Sequence, residues 1–348
     1  MLGRSVHRPK DDSLARIDVR WRGQSKPVYT LRDSHLEKYP IFGTFNETFF
    51  NKHQLPDSFL AYRYAPTKKV RGKTLKNYIN SLIKEISQKK KKFTDFTVLR
   101  SRDFNRRKCS GLIILKCKHH PFVVKIFMEN PKTFIMHGSK GIIPAFFFYM
   151  SGGVNRHLLG FTRIKNLQLM QVKVQKNKKW KNQVVFPRKW FYLPEKSRWL
   201  EITGTNIGTK KQKIAIPATY CLVSDWIDSE RTATVFNRSD RKRCMSLCNC
   251  LELGIDPHID NFLIERKTKK IAIVDTEHFP TVVGIKKKRE FRGYFSWISR
   301  LGIDCAKSLF FRNKEKRKNV QKMELTETQL LYDDCENKEG PPKKGPMA

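Results

Sequence analysis

The sequence predicts an α+β fold in which a mainly antiparallel sheet comes first and a smaller, more helical part follows. Three observations lead there. Short apolar runs at 96–99, 112–115 and 122–127 succeed one another through links that suit antiparallel neighbours. Strand-like runs at 199–202 and 214–223 carry the same character as far as Asp225. After Asp225 the apolar spacing becomes helical, then ends in a short hairpin with acidic residues at the edges of both strands. With 348 residues the chain can bury one large core or two modest ones, so two lobes with extensions are expected.

Residues 1–57 mix polar and aromatic segments without a clear period, although Phe42, Phe45, Phe49 and Phe50 point to packing. From 74 to 87 the pattern sharpens. Leu75, Tyr78, Ile79, Leu82, Ile83 and Ile86 share one helical face, and the lysines at 89–92 suit a helix carboxyl end. Residues 1–92 are therefore set apart as an amino-terminal extension carrying an amphipathic helix at about 74–88. Within 93–225, the connection 100–111 is basic and irregular, and 118–121 is a polar link suited to a hairpin. Residues 131–159 are apolar with glycines and give no single reading. Residues 180–190 read as loop or edge strand interrupted by Pro187. This half is expected to hold one helix at most.

In 226–311, Ser239 is the expected helix cap with Asp240 in the first turn. Cys244, Leu247, Cys248 and Leu251 step at helical spacing until Gly254, placing a helix at 239–253. A loop, an apolar run at 262–264, a polar turn and a second run at 271–274 complete a hairpin. The tail 312–348 is charged, ends in a Gly- and Pro-rich stretch and is expected to be disordered.

Composition limits the classes available. Hydrophobic residues at 39% and aromatics at 11% argue against disorder over most of the length. No run of about 18 apolar residues exists, so no membrane span is expected. The first twelve residues are polar and charged, which argues against a secretory signal. The eight cysteines are scattered without a C-x-x-C pair, and a reducing, cytoplasmic setting is expected. Cys244, Cys248 and Cys250 lie close in sequence, but the first two share a helix face with leucines and read as small buried hydrophobes. The formal net charge of +39, from 71 basic and 32 acidic residues, would attract nucleic acid or other polyanions. The basic residues run along the whole chain, which equally fits solvated charge on every surface.

The chemistry concentrates at 254–277. Asp256 and Asn261 stand in D-x-x-x-x-N spacing immediately before an apolar strand, and a second strand delivers Asp275 one hairpin later. A loop carboxylate can accept a hydroxyl proton, while an amide oxygen and a second carboxylate can hold a divalent metal against phosphate oxygens. Read singly, each residue has an ordinary alternative. Asp256 before Pro257 suits a turn, Asn261 could cap it, Asp275 could end a strand, and Lys125 at the end of a β-run could be a surface lysine.

Taken together, this segment resembles the catalytic and metal-binding loops of the protein-kinase-like superfamily, including its aminoglycoside-phosphotransferase-like branch. That family writes H-x-D-x-x-x-x-N, a hairpin, then an Asp. The resemblance implies a two-lobed protein-kinase-like fold, with a β-rich N-lobe at 93–225 and a reduced helical C-lobe at 226–311. It implies Asp256 as catalytic base, Asn261 and Asp275 as metal ligands, and ATP and Mg2+ as cofactors. The run 122–125 is similar to the family's V-A-I-K strand, which implies Lys125 as the residue on the α/β-phosphates. Residues 220–227, including Asp225, resemble the strand and hinge lining the adenine pocket. The implied activity is transfer of the γ-phosphoryl group to an unidentified hydroxyl acceptor.

The resemblance runs thinly from about residue 93 to 297 and is specific only from Gly254 to Glu277. Gly254 replaces the family's catalytic-loop His, and 102–111 takes the place of the glycine-rich loop with one glycine. No Glu occurs between Asn130 and Pro194, where a partner for Lys125 is expected, and Thr276-Glu277 follows Asp275 in place of Phe-Gly. A pseudokinase or basic interaction module is the alternative these departures favour. A metal-dependent nuclease built on Asp256, His258, Asp260, Asp275 and Glu277 is a third reading.

Overall fold

A computed structural model of the chain describes residues 16–32, 43–136, 153–206, 213–234, 236–251, 255–256 and 259–278. The tail 312–348, the remainder of the expected C-lobe beyond 278, Gly254 and His258 lie outside the described residues. In chain order, strands β1 (Arg16–Trp21) and β2 (Tyr29–Arg32) precede helix α1 (Glu47–Lys52), hairpin β3 (Phe59–Tyr62) and β4 (Ala65–Arg71), and helix α2 (Gly72–Ser87). Strands β5 (Phe96–Arg100), β6 (Phe104–Asn105), β7 (Ser110–Cys117) and β8 (Phe122–Met128) follow, then helices α3 (Pro131–Met136) and α4 (Gly153–Lys176). Next come β9 (Val184–Val185), β10 (Lys189–Tyr192), β11 (Trp199–Thr205), β12 (Lys213–Pro217), β13 (Thr219–Asp225) and β14 (Ser229–Thr232). Helix α5 (Arg238–Leu251), a single 3-10 turn (Ile259–Asn261) and hairpin β15 (Phe262–Glu265) and β16 (Ile271–Ile273) close the described chain. The architecture is α+β with mostly antiparallel sheets and few helices, as the sequence predicts.

The central sheet runs β10-β13-β8-β7-β5, with β6 added to β7. Its inner strands β7, β8 and β13 are almost continuously apolar because both faces are covered. Alternate residues sort to opposite faces. Ile113, Leu115, Val124, Ile126, Cys221 and Val223 pack with Leu75, Ile79, Leu82 and Ile86 of α2. Leu112, Phe127, Tyr220 and Leu222 pack instead with Leu158, Phe161 and Ile164 of α4. Lys125 sits two residues before Phe127 and so belongs to the α4 face, a placement that decides its partners.

A second sheet, β12-β11-β1-β2, packs into that same core. β1 pairs with β11 over its whole length, Val19 lying opposite Ile202. Phe45 and Phe50 join Phe161 and Tyr220, so residues before 93 are built into the core of the sheet that follows them. Gly160 allows α4 to approach this closely: a Cβ there would lie 1.9 Å from the Tyr220 hydroxyl and 2.8 Å from Phe127. A third sheet, β14-β15-β16-β9, packs with α4 and α5 and is parallel only between β16 and β9. Cys244 and Cys248 are buried in that cluster. No helix among the described residues is long and apolar enough to cross a membrane.

Four expectations need correction. Residues 131–159, which gave no single reading, contribute α3 and the first part of α4, so this half holds more than one helix. α4 escaped notice because it is buried nearly all round from His157 to Asn166, and the buried Thr162, Arg163 and Asn166 erase any apolar stripe. The run 214–223 is two strands in two sheets, β12 and β13, divided after Pro217. Within 100–111, β6 pairs with β7. The α5 cap is Asn237, not Ser239: its side-chain oxygen accepts from the Ser239 and Asp240 amides at 2.9 and 3.1 Å.

His157 on α4 adds a pH dependence to the fold. It is 2% exposed, its Nε2 donates to the Pro217 carbonyl at 2.8 Å, and burial holds its pKa down to about 4 from 6.5. Between these two values the unfolded chain binds the proton and the folded chain does not, so stability rises with pH across that window. Acidification from pH 6.5 to 4 is expected to remove up to ~3 kcal/mol through this group. Urea unfolding across that range, with His157→Gln as control, tests it: the same acid slope in the variant would exclude His157 as the source.

Candidate functional site

A cleft of about 190 Å3 opens between the central sheet and the β15–β16 hairpin. Leu99, Ile114, Val123 and Leu263 give it apolar walls, residues 224–227 line it as well, and Lys125, Asn261 and Asp275 are among its polar lining groups. Strand register brings these groups together. β8 carries Lys125 between β7 and β13, opposite Ile114 and Leu222. β15 and β16 pair Phe262 with Ile273, which sets Asn261 and Val274 side by side, and the Val274 amide donates to the Asn261 carbonyl at 3.0 Å. Apolar walls with a few convergent polar groups are the usual makeup of a small-molecule site.

The sequence-predicted residues fare differently. Lys125 Nζ lies 3.1 Å from Asp275 Oδ2, although the two are 150 positions apart. The Asn261 amide donates to the Asp256 carbonyl at 3.2 Å, and Asn261 lines the cleft together with Asp260. Asp256 is part-buried in the same loop but is not part of the cleft wall. Asp225 lines the cleft, yet its carboxylate serves Arg188, accepting from the amide at 3.0 Å, from Nε at 2.9 Å and from the second guanidinium nitrogen at 2.8 Å. That pairing braces the edge segment and raises the Arg188 pKa.

Three residues at or behind the cleft had no motif to announce them. Arg163 of α4 is fully buried, with one guanidinium nitrogen 2.8 Å from Asp275 Oδ1 and the other 2.6 Å from Glu277 Oε2. Lys189 of β10 donates to the Val274 carbonyl at 3.2 Å and to Thr276 Oγ1. The Thr276 hydroxyl donates to the Arg163 carbonyl at 2.7 Å, and Asn166 donates to the carbonyls of Thr276 and Glu277 at 3.1 and 3.2 Å. Arg100 lines the cleft, with its buried Nε lacking a hydrogen-bond partner. The one sequence signal for Arg163 was negative: with no Glu between Asn130 and Pro194, whatever α4 turned toward Lys125 had to be something else.

Electrostatics follow from this packing. Burial and the nearby Arg163 pull the Lys125 pKa down to about 8, against the opposing pull of Asp275 and Glu277. Burial alone would raise the Asp275 carboxyl, but Arg163, Lys125 and Lys189 outweigh it and hold it well below the usual range. Burial and Lys125 depress Lys189, whereas Asp275 and Glu277 keep Arg163 firmly charged despite its burial.

The donor set bears on a metal ion. Each Asp275 oxygen already faces a cation, and Oδ1 also accepts from the Glu277 amide at 3.3 Å. A carboxylate offers about four lone-pair sites, so acceptor capacity remains on Oδ2, and the Asn261 amide oxygen adds to it. These residues fit a divalent cation arriving with anionic phosphates, not one held by protein alone. Among the described residues, no group of three or more His, Cys, Asp or Glu comes together to hold a metal. Compared with protein-family models, curated proteins and solved structures, the chain matches none.

Proposed function

We propose that the chain binds a nucleoside triphosphate, ATP, in a protein-kinase-like cleft between a β-rich N-lobe and a reduced C-lobe, and transfers the γ-phosphoryl group to a hydroxyl acceptor. The observation that carries this reading is the convergence of Lys125, Asn261 and Asp275 on one cleft that the segment 224–227 also lines. Val123 and Leu263 would supply apolar surface for a base, and Lys125, Asn261 and Asp275 would meet the phosphates. Lys125 supplies charge to the α/β-phosphates once it leaves Asp275. Asn261 and Asp275 would hold Mg2+, which when bound neutralises charge on the phosphates. Asp256, part-buried in the loop whose backbone Asn261 holds, would serve as the base for the acceptor hydroxyl. The acceptor class is open, and the basic surface suits an anionic one.

A second reading is a pseudokinase that binds nucleotide without transferring it. The observation favouring it is that Lys125 and Arg163 both hold Asp275, in a cleft without the helix glutamate that would draw Lys125 away.

Thermal shift with ATP and magnesium tests the shared premise. Melting is expected to rise by an amount that grows with ATP concentration, since a ligand binding only the folded state stabilises it by mass action. Lys125→Met and Asp275→Ala are each expected to lose most of that rise. No shift for the wild type at millimolar ATP would remove both readings.

A further inference from the structure

Helix α5 carries its charge where an isolated helix would not. Its residues Cys244, Leu247, Cys248 and Leu251 are buried with Phe262, Ile264, Ile271 and Ile273 of the β15–β16 hairpin. Arg238 and Lys242 stand one turn apart on the other, exposed side. Like charges at that spacing repel, and the positive end of the helix dipole disfavours both. Asp240, the one acidic residue of the helix, gives no relief. It is 3% exposed and accepts from Arg231 at 3.0 Å and from the Thr234 amide at 3.1 Å. One turn beyond Lys242, Ser246 Oγ accepts from Lys179 at 2.9 Å, which adds a third cation to the row. Among the described residues, Arg238, Lys242 and Lys179 have no carboxylate partner. Immediately before the cap Asn237, the Phe236 ring is 92% exposed, more than any other large apolar side chain described.

We propose that this face of α5 binds single-stranded nucleic acid, with Arg238, Lys242 and Lys179 on the phosphates and a base stacked on Phe236. A row of cations along the backbone with an aromatic platform beside it is what such a ligand requires. Positions 238, 242 and 246 rise along the helix axis in steps of about 6 Å, so the cations form a track and not a cluster. A membrane surface fits less well. The apolar side of α5 is already committed to the hairpin, and a single ring buries little in lipid. A duplex fits less well too, because its bases stack on one another and leave Phe236 without a partner. The face also lies apart from the cleft: Phe262 and Ile264 of β15 turn toward α5, whereas Leu263 between them lines the cleft. The inference therefore stands without the nucleotide reading.

The experiment is fluorescence anisotropy of the full chain with a labelled oligouridylate of about twelve nucleotides. Binding is expected to fall with salt along a log–log slope of about −2 to −3, the release expected for three or four phosphate contacts. Phe236→Ala is expected to weaken binding about tenfold without changing that slope, and the exposed ring gives the fold no reason to suffer. Arg238→Gln/Lys242→Gln is expected to make the slope shallower by about one. A matched pair of exposed lysines elsewhere, Lys91→Gln/Lys92→Gln, is expected to leave affinity within about twofold of wild type. Absence of binding would overturn the inference, as would equal losses from the two neutralised pairs or affinity in Phe236→Ala within about twofold of wild type. A duplex of the same length bound as tightly as the single strand would overturn it as well. Binding to phosphatidylserine vesicles that Phe236→Ala abolishes, with oligonucleotide binding intact, would overturn it in favour of a membrane.

Discussion

Glu277→Ala is expected to destabilise the protein by ~3–5 kcal/mol, the range for removing one partner of a buried ion pair. Glu277 is 5% exposed, and the Arg163 side chain that it meets at 2.6 Å is wholly buried. Without Glu277, among the described residues the firmly charged Arg163 and Lys125 share the single carboxylate of Asp275. Water cannot reach Arg163 to compensate, and a guanidinium does not discharge at any ordinary pH. Arg163→Met also breaks the pair but leaves Lys125 and Lys189 to balance Asp275 and Glu277, so its cost should be the smaller of the two. In the double variant Arg163→Met/Glu277→Leu both charges go, and the loss should fall well short of the sum of the single losses. Denaturant midpoints of the four proteins measure this coupling. A loss below ~1 kcal/mol for Glu277→Ala would mean that Arg163 finds a different anion. The nuclease alternative expects the opposite sign, because a Glu277 placed to hold metal beside Asp275 would relieve carboxylate repulsion when removed.

The outline of the site was legible because it lies on elements that announce themselves locally. Ile113, Leu115, Val124 and Ile126 read as strands from their own neighbours, and the 262–274 hairpin reads the same way. What bridges the elements was not legible. β1 offers three apolar residues, Ile17, Val19 and Trp21, alternating with charged ones, and becomes a strand because β11 lies beside it, some 180 positions later in the chain. α4 presents a helix whose buried side is partly polar, since Arg163, Asn166 and Thr162 serve the segment 275–278 and not an apolar neighbour. Asp225 illustrates the converse. Its place at the cleft edge follows from β13, but the use of its carboxylate was set by Arg188, which the sequence gives no reason to place there. Spacing reports which residues a hairpin carries; it does not report which buried charge from a distant helix will meet them.

Asp256→Asn is expected to lower phosphoryl transfer by roughly 10²–10⁴-fold while leaving the ATP-induced rise in melting temperature unchanged. The separation follows from geometry. Lys125, Asn261 and Asp275 line the cleft, whereas Asp256 is not part of its wall and is joined to it through the loop that carries Asn261. That loop is fixed by its backbone: the Asp256 carbonyl accepts from Asn261 at 3.2 Å, and the Asn261 carbonyl accepts from Val274 at 3.0 Å. Asparagine keeps the shape and the backbone contact of aspartate and removes only the ability to accept a hydroxyl proton. Asn261→Ala should behave differently, because losing that hydrogen bond frees the loop and removes a ligand for metal, so transfer and nucleotide affinity fall together. With the acceptor class open, ATP turnover with water as acceptor is the first readout. Turnover in Asp256→Asn within about tenfold of wild type would show that Asp256 is not the base. Turnover at background in both proteins, with ATP binding intact, would select the pseudokinase reading, and the hold of Lys125 and Arg163 on Asp275 would then be the reason why.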